Sequence, residues 1–211
     1  MPTVAARLSE SFRARRMRLF LDHFALTSAT RVLDVGGNPG IWSTVPSGVR
    51  PRITYLNLPR ASEPNDDRTN LVFGDGCRLP FASQSFDIAF SNSVIEHVGG
   101  PDAQGQFAAE ICRVSRAYWV QTPNRLFPVE QHLLTPFIHW LPRSWQRVLV
   151  PLAAIWGWTS KVNSDQRNFY FDHYLDDIRL LTADELVALF PGSRLLRERF
   201  LGLTKSLIVT K

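Results

Sequence analysis

The positions of apolar residues along the chain predict strands that alternate with helices. Short apolar runs bounded by turn residues predict five strands, at 31–35, 53–58, 70–73, 86–91 and 117–121. A helical pattern covers residues 102–115, and Asp102 is its predicted N-cap. Apolar strands that alternate with helices are typical of a parallel sheet covered on both faces.

The two ends of the chain carry further elements. Residues 5–26 show an imperfect apolar stripe, which predicts that the N-terminal segment 1–26 is a helix. Near the other end, Thr182 and Glu185 form a capping-box pattern that begins a helix at 182–190. Two strands follow, at 193–200 and 204–210, joined by a short turn at Leu201 and Gly202. That spacing predicts an antiparallel hairpin.

Residues 122–181 interrupt the alternation of strands and helices. The segment is rich in proline and aromatic residues, and it holds four of the six tryptophans, Trp140, Trp145, Trp156 and Trp158. We interpret it as a mostly helical cap inserted into a single domain that spans 1–211. Its indole rings either form the small core of the cap or offer flat apolar faces to a ligand.

Composition and charge set broad limits. Hydrophobic residues make up 45% and charged residues 20% of the 211 residues, as is usual for a soluble globular protein. The net charge of +5 favours anionic partners only weakly. Cys77 and Cys112 form no C-x-x-C pair, so we expect reduced thiols and a cytoplasmic protein. We see no secretory signal and no membrane-spanning run. The apolar run 148–158, flanked by basic residues, leaves peripheral membrane contact open.

The turn after the first predicted strand reads V-L-D-V-G-G-N-P-G at 32–40. A dinucleotide site would require G-x-G-x-x-G, and this spacing does not match it. Asp34 would also repel a pyrophosphate, whereas it would attract a cation. A ligand with an adenosine body and a positively charged amino-acid end meets both conditions, and S-adenosylmethionine is such a ligand. The alternative is that Asp34 only caps the turn.

Two further motifs accompany this turn: G-D-G-C-R-L-P-F at 74–81 and S-F-D-I-A-F-S-N-S-V-I-E-H-V at 85–98. Together the three blocks resemble class I S-adenosylmethionine-dependent methyltransferases, in particular the type 11 branch with its UbiE-like small-molecule enzymes. The resemblance implies an α/β Rossmann-like fold. Its sheet has seven mostly parallel strands with an antiparallel C-terminal strand, helices on both faces and, here, the cap inserted after the fifth strand.

The resemblance also implies which residues hold S-adenosylmethionine. Asp34 and the glycine turn would hold the methionine end, and Asp75 would accept a hydrogen bond from the adenine amino group. Ser91 and Asn92 would line the pocket near the sulfonium. Asn57 stands where the family has an acid for the ribose hydroxyls. The complete set is Asp34, Gly36, Gly37, Asn38, Gly40, Asn57, Leu58, Asp75, Gly76, Cys77, Ser91 and Asn92. Because Asn38 and Asn57 depart from the family pattern, a non-catalytic S-adenosylmethionine-binding protein remains an alternative.

Transfer to a hydroxyl group requires a general base, and histidine suits neutral pH. We predict His132, beyond the fifth strand, as that base, with Glu130 either to orient it or to bind the acceptor, and His97 as the second candidate. His173 ranks third, His23 and His139 are interpreted as structural, and no metal is expected. The acceptor is expected to be a small molecule with a hydroxyl group, either a saccharide or a lipid-linked compound.

A nucleic-acid methyltransferase is the rival enzyme. Five arginines in the N-terminal helix motivate it, namely Arg7, Arg13, Arg15, Arg16 and Arg18. The position of these side chains distinguishes the two hypotheses. Arginines that pack over the cofactor site or the cap disfavour nucleic acid, and an exposed stripe beside the site favours it. The sequence leaves the oligomeric state open.

Overall fold

Seven strands form one sheet in the computed structural model, which describes residues 4–37, 39–59, 70–153, 171 and 177–211, with side chains omitted for 4–9 and 151–153. The strands of this sheet are β1 Arg31–Val35, β2 Arg52–Asn57, β3 Leu71–Phe73, β4 Phe86–Asn92, β5 Ser115–Pro123, β8 Arg194–Phe200 and β9 Leu203–Thr210. Two short strands between β5 and β8, β6 Val129–Glu130 and β7 Thr135–Pro136, form a separate pair. The sheet order is β3-β2-β1-β4-β5-β9-β8. The first five of these strands are parallel, and β9 is antiparallel to both β5 and β8. The predicted fold class is therefore confirmed.

Five helices are described: α1 Val4–His23, α2 Pro39–Trp42, α3 Pro101–Val114, α4 Arg143–Ala153 and α5 Ala183–Leu189. The predicted capping box of α5 is present, since Thr182 Oγ1 accepts from Glu185 N and Glu185 Oε2 accepts from Thr182 N. The predicted Asp102 cap is wrong. Gly100 is the N-cap of α3, because Pro101 suits the first helical position, and Asp102 lies inside the first turn.

Helices cover both faces of the sheet. On one face, Phe107 and Ile111 of α3 and Leu186 of α5 pack against the apolar side chains of β1, β4 and β5. On the other face, Phe20 of α1 makes edge-on contacts with Trp42, Phe90 and Trp119, with ring centroids 5.0–5.8 Å apart. The N-terminal helix is thus part of the core and has a fixed position against the sheet.

The insertion leaves and rejoins the sheet at adjacent points, because Asn124 bridges to Leu181 beside the end of β5. Its described part contains the β6–β7 pair, a 3₁₀ turn at Ile138–Trp140 and α4. Buried side chains give it a core of its own, formed by Leu133, Ile138, Val150, Phe171, Ile178 and Leu180.

The two tryptophans of the insertion that the structure describes do not form that core. Trp140 and Trp145 are 49% and 63% exposed, so the interpretation as core residues is wrong for both. Trp156 and Trp158 lie outside the described residues. Within the described ranges, no helix combines the length and the apolar content that crossing a membrane requires.

Candidate active site

The strand order reverses between β1 and β4, and this switch point is where open α/β sheets bind their ligands. The parallel register places Val35 beside Ser91, at the carboxyl ends of both strands. The predicted residues that follow β1 and those that end β4 therefore meet at one edge of the sheet. Ser91 is fully buried, and its Oγ has no hydrogen-bond partner among the described residues.

Asp34 is buried at this edge, with only 1% of its surface exposed. Its Oδ2 accepts a 2.7 Å hydrogen bond from Trp42 Nε1. Burial raises the pKa of Asp34 to about 7, although the hydrogen bond from Trp42 opposes this shift. A cation bound beside Asp34 would stabilise the ionised form of the carboxyl group and so oppose the effect of burial.

The turn after β1 requires glycine at two positions. Gly36 has a φ of +72°, and a Cβ atom there would lie 2.5 Å from Val94 Cγ2. At Gly37 a Cβ atom would lie 2.0 Å from the carboxylate carbon of Asp34. Since no side chain fits between this backbone and Asp34, a ligand can approach both closely. Asn38 lies outside the described residues.

Asn57 ends β2 and faces the same turn. Its Nδ2 donates a 3.0 Å hydrogen bond to the Gly37 carbonyl oxygen. The next residue, Leu58, is exposed. Besides this bond, Asn57 offers Oδ1 as an acceptor and the second hydrogen of Nδ2 as a donor, and its ribose role stays a prediction.

The residues predicted to bind adenine follow β3. Asp75 is exposed, and its Oδ1 accepts a 2.8 Å hydrogen bond from Cys77 N. The Gly76 backbone packs against Phe107, since a Cβ atom there would lie 2.9 Å from that ring. Burial, together with the charge of Asp75, raises the pKa of the Cys77 thiol to about 11, so this cysteine is not a nucleophile at neutral pH.

A cavity of about 680 Å³ lies between α1 and the glycine turn. Residues from β1, the turn and β4 form one side of it, namely Asp34, Gly36, Gly37, Gly40, Ile41, Thr44, Phe90 and Asn92. Residues from α1 form the other side, namely Glu10, Arg13, Ala14 and Met17. Sequence reasoning missed this second wall. The spacing of these four residues places them on one helix face, but it does not show what that face packs against.

Arg16 fixes α1 over this edge of the sheet. Its buried guanidinium donates 2.8 Å hydrogen bonds to Gln121 Oε1 and Glu198 Oε2 and a further one to Asn92. Arg13 lines the cavity and is exposed, and Arg15 and Arg18 are exposed as well. Of the arginine side chains of α1 that the structure describes, only Arg16 is packed against the sheet, and Arg7 has no described side chain.

The partly buried His132 pairs with the buried Glu130 beyond β5. The Nδ1 of His132 lies 2.7 Å from Glu130 Oε1, and Glu130 Oε2 accepts a 2.6 Å hydrogen bond from Leu133 N. Although burial alone would lower it, the pKa of His132 is raised by its hydrogen bond and attraction to Glu130 and by its attraction to Glu96. Glu130 therefore holds the ring so that Nε2 points away from it.

Sequence reasoning missed Glu96 as a member of this cluster. Glu96 is fully buried, and its Oε2 accepts a 3.0 Å hydrogen bond from Thr122. Burial raises the pKa of Glu96, against the opposing effects of His132, a backbone hydrogen bond, Thr122 and Ser93. The position of Glu96 in the I-E-H-V motif, directly before His97, was the available signal.

His97 packs edge-on against His132, with ring centroids 5.0 Å apart. One potential ligand atom each from Glu96, His97 and His132 lies within 4.8 Å of the others, a spacing that suits a divalent cation. No described residue that lines the cavity is a histidine. His139 Nε2 lies 2.9 Å from the Arg125 carbonyl oxygen, in keeping with a structural role, and His173 lies outside the described residues.

Comparison with known proteins agrees with this geometry. The family described as "Methyltransferase domain" matches residues 47–117. An uncharacterized methyltransferase of Mycobacterium avium is 36% identical over 104 residues. That alignment covers 44% of this chain and 38% of the relative, so the match spans well under half of the relative's length.

Solved structures share the fold. A Methanosarcina mazei S-adenosylmethionine-dependent methyltransferase has a TM-score of 0.55 at 14% identity, covering 90% of this chain and 95% of that one. The Burkholderia thailandensis 1,6-didemethyltoxoflavin-N1-methyltransferase, solved with S-adenosylhomocysteine, has a TM-score of 0.57 at 18% identity, covering 95% and 77%. The buried acid, the glycine turn and the unpartnered Ser91 hydroxyl fit the same cofactor. Residues 47–117 of this chain thus match a methyltransferase domain family, and the chain shares the fold of these solved methyltransferase structures.

Proposed function

We propose that the protein methylates a hydroxyl group of a saccharide, free or lipid-linked, with His132 as the general base. The observation that supports this most is the pair of His132 and the buried Glu130, whose Nδ1–Oε1 distance is 2.7 Å. When bound, S-adenosylmethionine supplies a methyl group already activated on a sulfonium. The protein is then required mainly to align the acceptor and to remove its proton.

The proposed cofactor site uses Asp34 for the ammonium group, the turn glycines for close backbone approach and Asn57 for a ribose hydroxyl. Asp75, Gly76 and Cys77 lie beside the adenine in this proposal, with Leu58 next to the ribose. Ser91 and Asn92 face the sulfonium. The burial of Asp34 and the absence of room for a side chain at Gly37 support this arrangement.

In the proposed reaction, His132 Nε2 takes the proton of the acceptor hydroxyl. Glu130 accepts a hydrogen bond from His132 Nδ1, which fixes the tautomer that leaves Nε2 as the basic nitrogen. The imidazolium that forms is stabilised by Glu130 and by the buried carboxyl of Glu96. His97 packs against the ring and limits its rotation.

An exposed apolar surface on the insertion supports a lipid-linked acceptor. Phe137 and Trp140 are about half exposed, with ring centroids 5.3 Å apart, and Trp145 and Val148 of α4 are more exposed still. Exposed apolar side chains that lie together on a surface often mark contact with a protein or a membrane. We refer to these four residues as the apolar surface.

The first experiment is transfer of labelled methyl from S-adenosylmethionine to a panel of acceptors. The panel contains free sugars, lipid-linked saccharides, amines and transfer RNA, each with and without a chelator. Label on a saccharide hydroxyl supports the proposal. Label on an amine or on RNA contradicts the acceptor class, and chelator-sensitive transfer contradicts a metal-free base.

The base is tested on the acceptor found in that panel. We expect His132→Gln to lower kcat by about 10²–10⁴-fold, the usual contribution of a general base, while its affinity for S-adenosylhomocysteine stays unchanged. His23→Gln is the matched control, because His23 lies at the end of α1 and packs against Phe24. A His132→Gln enzyme with the turnover of the control would exclude this base.

A further inference from the structure

Arg13 faces the cavity from α1, and Asp34 faces the same cavity from β1. The amino-acid end of S-adenosylmethionine carries an ammonium and a carboxylate on a single carbon atom. Asp34 provides a negative charge for the ammonium, so the carboxylate requires a partner nearby. Among the described residues that line the cavity, Arg13 is the only one with a positive charge.

The backbone of Arg13 is held firmly in place. Arg16 and Met17, the next residues on the same helix face, are both buried, and Arg16 is bound to three polar side chains of the sheet. These contacts fix the rotation of α1 about its axis. Arg13 is therefore directed at the cavity by contacts made one turn further along the helix.

The Arg13 side chain is nevertheless exposed, and no hydrogen bond or ion pair joins it to another described residue. Glu10 lies one turn earlier on the same face and does not pair with it. A guanidinium offers several donors in a plane that matches the two oxygens of a carboxylate. An unengaged guanidinium in a cavity with a buried acid is complementary to a zwitterion.

We infer that Arg13 binds the α-carboxylate of S-adenosylmethionine, so that Arg13 and Asp34 together recognise its amino-acid end. This inference rests on the cofactor assignment and is independent of the acceptor. It gives α1 a direct part in cofactor binding, in addition to its part in the core. It also explains why one arginine of this helix points into the cavity while Arg15 and Arg18 point to solvent.

Calorimetry with two ligands tests the inference. One ligand is S-adenosylhomocysteine, and the other is its decarboxylated analogue, which keeps the amino group. For Arg13→Gln we expect the Kd for S-adenosylhomocysteine to rise about tenfold or more, as is usual when a charge-assisted pair is lost. The Kd for the decarboxylated analogue should stay within about twofold of the wild-type value, because that ligand has no carboxylate for Arg13 to bind.

Two further variants complete the test. Arg15→Gln removes an exposed arginine from the same helix and should change neither Kd, and Arg13→Lys should recover part of the lost affinity. Equal weakening of both ligands in Arg13→Gln, or no weakening of either, overturns the inference. Wild-type protein that binds neither ligand contradicts the cofactor assignment itself, which separates the two failures.

Discussion

The side-chain amide of Asn57 ties the end of β2 to the glycine turn, through a 3.0 Å hydrogen bond from Nδ2 to the Gly37 carbonyl oxygen. An aspartate or glutamate in this place is only an acceptor when ionised and could not donate to that carbonyl. The asparagine, which departs from the acid expected by resemblance, thus has a structural reason. It holds the turn in place and still offers Oδ1 to a ribose hydroxyl.

Removing this tether should weaken cofactor binding without unfolding the protein. We expect Asn57→Ala to raise the Kd for S-adenosylhomocysteine by about fivefold to tenfold, the equivalent of roughly 1 kcal/mol for one hydrogen bond. Asn70→Ala is the control, because Asn70 Nδ2 makes a similar 3.2 Å bond to the Ile53 carbonyl oxygen beside β3. Equal effects in both variants would contradict a specific role of Asn57.

Cofactor affinity should depend on pH through Asp34. Its pKa is raised to about 7 by burial, so below pH 7 the free protein holds Asp34 increasingly protonated. Because an ammonium favours the ionised form, the Kd for S-adenosylhomocysteine should rise as pH falls from 8 to 5.5, by up to tenfold per pH unit. Asp34→Asn should bind weakly and show a flat profile over this range in calorimetry.

The Asp34→Asn variant should be more stable than the wild-type protein at alkaline pH when no cofactor is bound. The folded pKa of Asp34 lies above its unfolded value, so its favourable contribution to folding is complete at acid pH and is lost as pH rises through about 7. Asn cannot ionise and should therefore give a higher Tm than wild type at pH 8, with a smaller difference at pH 5. A lower Tm at pH 8 would contradict the burial argument.

A methyl group at Gly37 should abolish cofactor binding. In Gly37→Ala the Cβ atom would lie 2.0 Å from the Asp34 carboxylate carbon, so either the turn or Asp34 must move. We expect at least a 100-fold loss of S-adenosylhomocysteine affinity, roughly 3 kcal/mol, with a smaller effect on Tm. Gly48→Ala is the control, because a Cβ atom there meets nothing within 4 Å.

The sequence was informative wherever the signal is local. Apolar strands between turn residues predicted the sheet, and the limits of β1 agree with the prediction at 31–35. The order Asp34, Gly36 and Gly37 predicted a glycine turn directly after β1, and the structure has a turn there, because a short motif sets its own geometry. The Asp102 cap failed for a local reason as well, since Pro101 competes for the start of α3.

Features that arise from tertiary contacts could not be predicted from the sequence. Nothing near Glu10 or Arg13 in the sequence shows that α1 packs beside β1, so the second wall of the cavity went unpredicted. Glu96 likewise joins His132 only because β4 and β5 are neighbours. The exposure of Trp145 could not be predicted either, because amphipathic helices and core helices carry similar aromatic residues.

The buried ion pair of Arg16 should be important for stability. Replacing Arg16 with Met leaves the buried carboxylate of Glu198 without its partner, so we expect the free energy of unfolding to fall by about 3–5 kcal/mol. Arg31→Met is the control, because Arg31 pairs with Asp87 at 3.5 Å on the surface, where such a loss costs about 1 kcal/mol or less. Urea titrations of both variants compare the two costs directly.

The apolar surface should bind lipid if the acceptor is lipid-linked. We expect co-sedimentation with vesicles that contain anionic lipid, because Trp145 and Val148 are exposed on the helix that also carries Arg143 and Arg147. The double variant Trp145→Ser, Val148→Ser should lower vesicle binding by about tenfold, since two large apolar side chains would no longer leave water. Leu201→Ser is the control, because Leu201 is 86% exposed in the turn between β8 and β9. If the double variant still binds vesicles, the lipid contact lies elsewhere on the protein. If the wild-type protein does not bind vesicles, a free saccharide is favoured over a lipid-linked one as the acceptor.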